Sequence, residues 1–213
     1  MDAIKHAAEE SLVGSTYSDR LVTSLKESGL VPGPASTHKI ISHDFQPRTQ
    51  LEVSFDGKAV DLGNLFRARE CRVAPSVAFQ GEDDTNPHAT YTLMLVDPDA
   101  PTPEDPKYAF WRHWVMTGLQ PLSGDSNLVA ATKFPVTAYH PPDPKADSHP
   151  HRYLFLLFRE SRPLDLSKDD IGGEEFEQRR SFHPAEAVSK FGLTLVGFNW
   201  MKCAADDWSE GSI

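Results

Sequence analysis

The chain has 213 residues, two cysteines and a formal net charge of −10 at pH 7. This length suits one domain with a full hydrophobic core, and the acidic charge argues against sequence-independent nucleic-acid binding, which needs clustered Lys and Arg. Two cysteines are too few for a disulfide framework, and no apolar run suits a signal peptide or a transmembrane segment, so we expect a cytoplasmic protein.

The first predicted element is a helix over residues 17–28, because Leu21 and Leu25 belong to an apolar stripe at helical spacing. Residues 1–16 carry no periodic pattern, and we expect them to form a mobile N-terminal tail. We expect residues 17–213 to form one domain.

Most of the later elements are predicted to be strands, because apolar residues alternate or run continuously between turn signals. The predicted strands cover 51–55, 75–79, 91–97, a run from 111, 128–134, 153–158 and 193–201, and a second helix covers 184–191. Many short strands and few helices predict a β-sandwich-like, mostly antiparallel domain with helices at its margins.

The segment 91–114 combines a buried strand with polar side chains at its end. Asp97 and Asp99 follow the apolar strand, and neighbouring prolines stiffen this corner. Period 2 then puts Trp111, His113 and Val115 on one face of the next strand, and Arg112, Trp114 and Met116 on the other. If the two strands pair, Asp97 and His113 lie at the same end of the sheet, and a close carboxylate would raise the pKa of the imidazole.

The segment 139–160 joins a proline-rich loop to the most apolar strand of the chain. Apolar residues on both alternate sets predict a central strand covered on both faces. His149 and His151 stand two apart and could point the same way if the backbone is extended. Arg152 and Tyr153 are neighbours in this strand and should point to opposite faces. Arg152 could form a structural ion pair with Asp97 and Asp99.

Four hypotheses compete for these polar residues. The first is a structural ion pair with surface histidines. The second is a zinc site formed by His113, His140, His149, His151 and Asp97, although no HExxH motif or cysteine pair is present. The third is a nucleophilic hydrolase, although this chain has no GxSxG motif. The fourth is a small anion pocket in which His113, His151 and Tyr153 donate hydrogen bonds. A nucleotide held by a glycine-rich loop is not indicated.

The motifs DPDAP at 97–101, WRHW at 111–114 and HRY at 151–153 resemble the two signature regions of the phosphatidylethanolamine-binding protein (PEBP) family. DFQPRTQLEVSFDG at 44–57 is similar to its fungal members, which include carboxypeptidase Y inhibitors. The resemblance implies a mainly β fold, a PEBP-like β-sandwich in which a large antiparallel sheet packs on a smaller sheet with peripheral helices. It also implies a cis peptide bond between Ala100 and Pro101.

The resemblance implies an anion pocket without a metal or another cofactor. With the adjoining loop, the expected ligand-binding residues are Asp97, Asp99, Pro101, Trp111, His113, His140, Pro141, Pro142, His151 and Tyr153, and Arg152 is assigned to the structural ion pair. If the pocket is catalytic, the candidate residues are His113, His151 and Asp97.

The loop before HRY departs from the family pattern. Where members have a glycine-rich GPPxGxGxHRY run, this chain has HPPDPKADSHPHRY. Bulkier residues, including His140 and His149, therefore replace a flexible rim, which favours an anionic ligand other than a phospholipid headgroup. The predicted function is phosphate or carboxylate binding with a regulatory or serine protease-inhibitor role, and a serine carboxypeptidase is the expected partner. The alternative is an enzyme or accessory protein of fungal secondary metabolism that acts on a dicarboxylate or anhydride, for example in a cyclisation.

Overall fold

The computed structural model describes residues 17–31, 33, 40–82, 86–122 and 127–211. The predicted tail over residues 1–16 lies outside these ranges. Within them, the strands are β1 (Glu52–Phe55), β2 (Lys58–Ala59), β3 (Leu65–Arg67), β4 (Ser76–Ala78), β5 (Tyr91–Asp97), β6 (Trp111–Pro121), β7 (Val129–Ala131), β8 (His151–Glu160) and β9 (Leu193–Ala204). The helices are α1, over residues 17–27, and α2 (Pro184–Phe191). Short 3-10 helices cover Ala68–Cys71, Lys168–Ile171 and Phe176–Arg179.

The strands form a three-stranded and a six-stranded sheet, as the predicted mainly β sandwich requires. The small sheet has the order β2-β1-β4, and the large sheet has the order β3-β9-β8-β5-β6-β7. All pairings are antiparallel except the edge pairing of β3 with β9, which is parallel. The predicted PEBP-like fold class is confirmed.

The two strands predicted to be most buried occupy the centre of the large sheet. β5 pairs with β6 on one side and with β8 on the other, and every residue of β5 is buried. Continuous apolar runs require cover on both faces. One apolar cluster lies between the sheets and includes Val53, Leu95 and Phe155, whereas a second cluster on the opposite face includes Leu21 of α1 and Ala187 of α2.

The strict alternation predicted for β6 fails after His113. The register with β5 shifts between Leu95, which pairs with Trp114, and Val96, which pairs with Arg112, so that His113 is an extra residue in β6, as in a β-bulge. Trp114 therefore packs in the cluster between the sheets, and Val115 packs in the cluster on the opposite face. An extra residue in one strand reverses the facing of all residues beyond it, which the sequence pattern did not reveal.

The predicted helices form where their apolar stripes can cover the large sheet. Leu21 and Leu25 of α1 are fully buried, and Tyr17 donates a hydrogen bond to the Phe198 carbonyl of β9 at 3.0 Å. Gly192, in the left-handed region at φ 63°, ends α2 before β9 begins. Both helices were predicted within one residue of their observed ends in the described part of the chain.

Candidate functional site

A cavity of about 430 Å³ opens where β5 ends and where β6 and β8 begin. It is lined by Asp97, Ala100, Pro101, Tyr108, Trp111, His113, His140, Pro141, Asp143, Pro144, Lys145, His151, Tyr153, Phe176 and Arg180. Because β5 pairs antiparallel with both β6 and β8, its end lies beside the beginnings of these two strands. Asp97, for example, pairs with Trp111. Aromatic walls around a few polar groups are typical of small-molecule sites.

Most of the predicted ligand-binding residues line this cavity: Asp97, Pro101, Trp111, His113, His140, Pro141, His151 and Tyr153. Asp99 and Pro142 are buried but are not part of the lining. The peptide bond between Ala100 and Pro101 is cis, as the resemblance implied.

Asp97 pairs with His151 and not with His113. The His151 Nδ1 atom lies 2.8 Å from Asp97 Oδ2, and both side chains are buried. Burial disfavours the charged imidazole, but the hydrogen bond and the charge of Asp97 outweigh it and raise the pKa of His151. Burial raises the pKa of Asp97 in turn. On its other side, His151 Nε2 lies 3.0 Å from the hydroxyl of Ser148.

The prediction of a raised pKa for His113 is wrong. Its Nδ1 atom donates to the carbonyl of His140 at 2.7 Å, so that no carboxylate is its partner. Burial lowers the pKa of His113 to about 3, and the nearby charges of His140, Arg179 and His151 act in the same direction. The side chain is therefore a neutral imidazole at pH 7.

The second aspartate of the corner is part of a separate ion pair. Arg152 donates from Nε to Asp99 Oδ2 at 2.9 Å and from Nη2 to Asp99 Oδ1 at 2.6 Å. The Arg152 backbone N–H donates to the same carboxylate at 2.7 Å, and its Nη1 donates to the Ser28 carbonyl. This arrangement holds the DPDAP corner against β8 and the end of α1.

The two added histidines of the 140–151 loop have different surroundings. His140 lines the cavity, and its backbone N–H donates to the His113 carbonyl at 2.9 Å. His149 lies outside the lining, half exposed, with Nδ1 at 2.6 Å from Glu104 Oε1. His149 therefore links two surface loops.

The sequence interpretation missed the residues on the outer side of the cavity, above all Phe176 and Arg180. They belong to the charged excursion at 161–180, which was predicted only as a surface segment. The Arg180 guanidinium stacks over Tyr108 at 4.6 Å and over Phe176 at 5.4 Å. Only the lone aromatic residue in a charged stretch hinted at this position.

Arg112 of β6 and Arg179 hold this excursion in place. Arg112, which is 1% exposed, donates to the carbonyls of Ile171 and Gly173. Arg179 donates back to the carbonyls of Arg112 and His113 at 3.2 and 3.1 Å. Phe176 is thereby brought within 5.6 Å of the Trp111 ring.

Among the described residues, no group of three or more His, Cys, Asp or Glu side chains is arranged to hold a metal ion. A helix of membrane-spanning length and apolarity is also absent from the described ranges.

The chain is similar to known proteins in sequence and in fold. The sequence profile described as Phosphatidylethanolamine-binding protein matches residues 42–191. The Drosophila melanogaster protein named "Putative odorant-binding protein A5" is 29% identical over 152 residues, which are 70% of this chain and 66%, just under two thirds, of that protein.

Two solved structures have the same fold over most of their length. The carboxypeptidase Y inhibitor complexed with its cognate proteinase has a TM-score of 0.73 at 22% identity, over 89% of this chain and 97% of the inhibitor. A phosphatidylethanolamine-binding protein from Plasmodium vivax has a TM-score of 0.64 at 21% identity, over 87% of this chain and 97% of its own. Since the family profile covers more than half of the chain, this protein belongs to the phosphatidylethanolamine-binding protein family.

Proposed function

We propose that this chain is a non-catalytic binding and regulatory protein that holds a small oxyanion, a phosphate or a carboxylate, in the cavity beside Trp111. The observation that carries the proposal is the combination of aromatic walls with two cationic side chains, Arg180 and Lys145, in one concave site. Cations attract an anion more strongly in a site partly shielded from water, because charges are screened less there than on an open surface.

The charge balance of the lining supports an anionic ligand. With His151 protonated, Asp97 and His151 neutralise each other at the inner end. Among the lining residues, Lys145 and Arg180 then exceed the single charge of Asp143 by one, and Arg180 also pairs at 2.9 Å with the exposed Glu177, which lies outside the lining. This local excess stands out because the whole chain has a formal net charge of −10.

Two observations weigh against the alternative of an enzyme. Ser148 hydrogen-bonds to His151 in the order of a hydrolase triad, but its side chain is 1% exposed and does not line the cavity, so that a substrate cannot reach it. His113, with a pKa of about 3, is a poor general base at neutral pH, where bases with a pKa near the working pH perform best.

The regulatory part of the proposal is inhibition of a serine carboxypeptidase. Its support is the similarity in fold to the carboxypeptidase Y inhibitor, which extends over 97% of that inhibitor. This role uses a protein surface and does not require the cavity to be catalytic.

Calorimetric titration of the full chain with phosphate and with succinate tests the oxyanion site. We expect saturable binding that Arg180→Ala weakens about tenfold, because about 1.4 kcal/mol is a modest share for one cation in a shielded site. Arg72→Ala is the matched control, since Arg72 is exposed and lies outside the cavity lining. Absence of saturable binding of either anion, or equal losses in both variants, would refute the proposal. Chemical conversion of the dicarboxylate, followed by NMR, would favour the enzyme alternative instead.

A further inference from the structure

We infer that the cavity selects oxyanions that still carry a hydroxyl hydrogen: inorganic phosphate, protonated phosphate monoesters and half-protonated dicarboxylates. Phosphodiesters and sulfate, which have no such hydrogen at neutral pH, should be rejected. The inference rests on the proposed oxyanion function and specifies its ligand. Its basis is the set of hydrogen-bond donors and acceptors that remain available to a ligand at the inner end of the cavity.

His113 presents an acceptor to the ligand and not a donor. A carbonyl oxygen can only accept, so the 2.7 Å contact with the His140 carbonyl requires the hydrogen to be on Nδ1. Nε2 of the neutral ring then carries a lone pair, and it has no hydrogen-bond partner among the described residues. The titratable or charged groups that face the ring are His140, His151, Tyr153 and Arg179.

His151 has no N–H to spare for the ligand. The Ser148 hydroxyl has one hydrogen, which it donates to the His149 carbonyl at 3.0 Å. His151 Nε2 lies 3.0 Å from that same hydroxyl oxygen, so Nε2 must carry a hydrogen and donate it to the oxygen. Since His151 Nδ1 is engaged with Asp97 at 2.8 Å, both ring nitrogens are occupied.

Asp97 adds further acceptor capacity. Its Oδ1 accepts from the Asp99 backbone N–H at 2.7 Å and its Oδ2 contacts His151, but a carboxylate oxygen has two lone pairs. The residue also lines the cavity. Tyr153 also lines the cavity, and its hydroxyl, which has no hydrogen-bond partner among the described residues, stays protonated because burial raises its pKa and can donate to a ligand.

An oxyanion at the inner end therefore meets lone pairs on His113 and Asp97 and one hydroxyl donor on Tyr153. A ligand O–H can donate to one of these lone pairs while its charged oxygens accept from Tyr153 and face the cationic rim. An anion without a hydrogen leaves these acceptors opposite its own lone pairs, and buried polar groups without partners are costly. Protonation of His113 does not supply the missing hydrogen, since burial lowers the pKa of this imidazole to about 3, well below the pH of the test.

The test is calorimetric titration of the full chain at pH 6 with inorganic phosphate, methyl phosphate, dimethyl phosphate and sulfate. We expect the first two to bind at least about tenfold more tightly than the last two. His113→Gln replaces the acceptor with an amide that can also donate, and we expect it to bring the ratio of phosphate to sulfate affinity towards one. His149→Gln, outside the cavity lining, should leave this ratio unchanged.

A second series uses the unmodified chain, so that it does not depend on the folding of a variant. Methyl phosphate loses its last hydrogen with a pKa of about 6, whereas inorganic phosphate keeps one as the dianion. Between pH 6 and pH 8, methyl phosphate affinity should therefore fall by about tenfold per pH unit, and phosphate affinity should not. Equal affinities for all four anions would overturn the inference and leave the proposed function standing. Failure of all four to bind would overturn both.

Discussion

At the scale of single residues, the DPDAP corner separates two acidic side chains with different roles. Asp97 contacts His151 and lines the cavity, whereas Asp99 is fully buried and pairs with Arg152. The two aspartates look equivalent in the sequence. Residues two apart in a continuous strand would share one side, but β5 ends at Asp97 and the chain turns over residues 98–99, so that Asp99 points elsewhere.

We predict that Arg152→Leu destabilises the fold by about 3–5 kcal/mol, since it leaves the Asp99 charge buried without its partner. The Asp99 side chain is 2% exposed and that of Arg152 is 24% exposed, so solvent screens this pair only slightly. Urea denaturation at pH 7 measures the loss. Arg20→Leu is the control, because its ion pair with Asp61 is 57% exposed on both sides and should contribute less than about 1 kcal/mol. Similar losses in both variants would contradict the prediction.

We predict that His113 makes the protein less stable in acid. Its pKa is about 3 in the folded chain and about 6.5 when unfolded, so the unfolded state binds the extra proton between these values. Stability should therefore fall as the pH drops from about 6.5 towards 3, by up to about 1.4 kcal/mol per pH unit. His151, whose folded pKa is raised, contributes stability that is fully present below about 6.5 and is lost as the pH rises through the raised value.

Urea denaturation from pH 4 to pH 7 checks this dependence. His113→Gln should flatten the acid slope, because the amide does not titrate. His43→Gln should keep the slope of the unmodified chain, since the His43 side chain is 85% exposed. The same slope in all three proteins would show that His113 is not the group responsible.

At the scale of elements, the excursion between β8 and α2 completes the cavity only because β6 holds it. Arg112 is buried under this segment and its guanidinium lies 4.9 Å from the Phe182 ring. Its donors satisfy backbone carbonyls that a 3-10 helix leaves free at its end. Hydrogen bonds from a buried arginine side chain thus hold a segment that has no strand pairing of its own to the sheet.

We predict that Arg112→Met loosens the excursion and lowers stability by at least about 2 kcal/mol, since hydrogen bonds from a buried charged group are lost. Hydrogen exchange followed by mass spectrometry should show faster exchange in peptides that cover 168–180. Arg162→Met, an exposed change next to the same segment, is the control and should leave exchange unaltered. Unchanged exchange in the Arg112 variant would mean that other contacts hold the excursion.

At the scale of the whole molecule, the two proposed activities use different parts of the chain. The proposed oxyanion cavity lies at one end of the large sheet, whereas we propose residues 1–16 as the contact surface for the peptidase. The two roles should therefore be separable by mutation.

We predict that deleting residues 1–16 abolishes inhibition of carboxypeptidase Y and leaves phosphate binding intact. Arg180→Ala should do the opposite, because it changes the cavity lining and leaves residues 1–16 in place. Peptidase assays with the full chain and both variants measure the first activity, and calorimetry measures the second. Full inhibition after the deletion would show that residues 1–16 are not the contact surface. Absence of inhibition by the full chain would refute the proposed inhibitor role.

The sequence by itself determined both helices, most of the strands and the class of fold, whereas the short strands β2 and β3 were not predicted. Both helices and the central strands β5 and β8 followed from local apolar periodicity, which depends on neighbours along the chain. The motifs around Asp97, Trp111 and His151 likewise identified the sheet edge at which the cavity opens.

Only the tertiary structure decided which partners meet there. The bulge in β6, the pairing of Asp97 with His151 instead of His113, and the arrival of Phe176 and Arg180 all join residues far apart in the chain. Burial and the His140 carbonyl then turned His113 from an expected donor into a neutral acceptor. Such roles depend on which groups surround a side chain in space, and local periodicity contains no record of them.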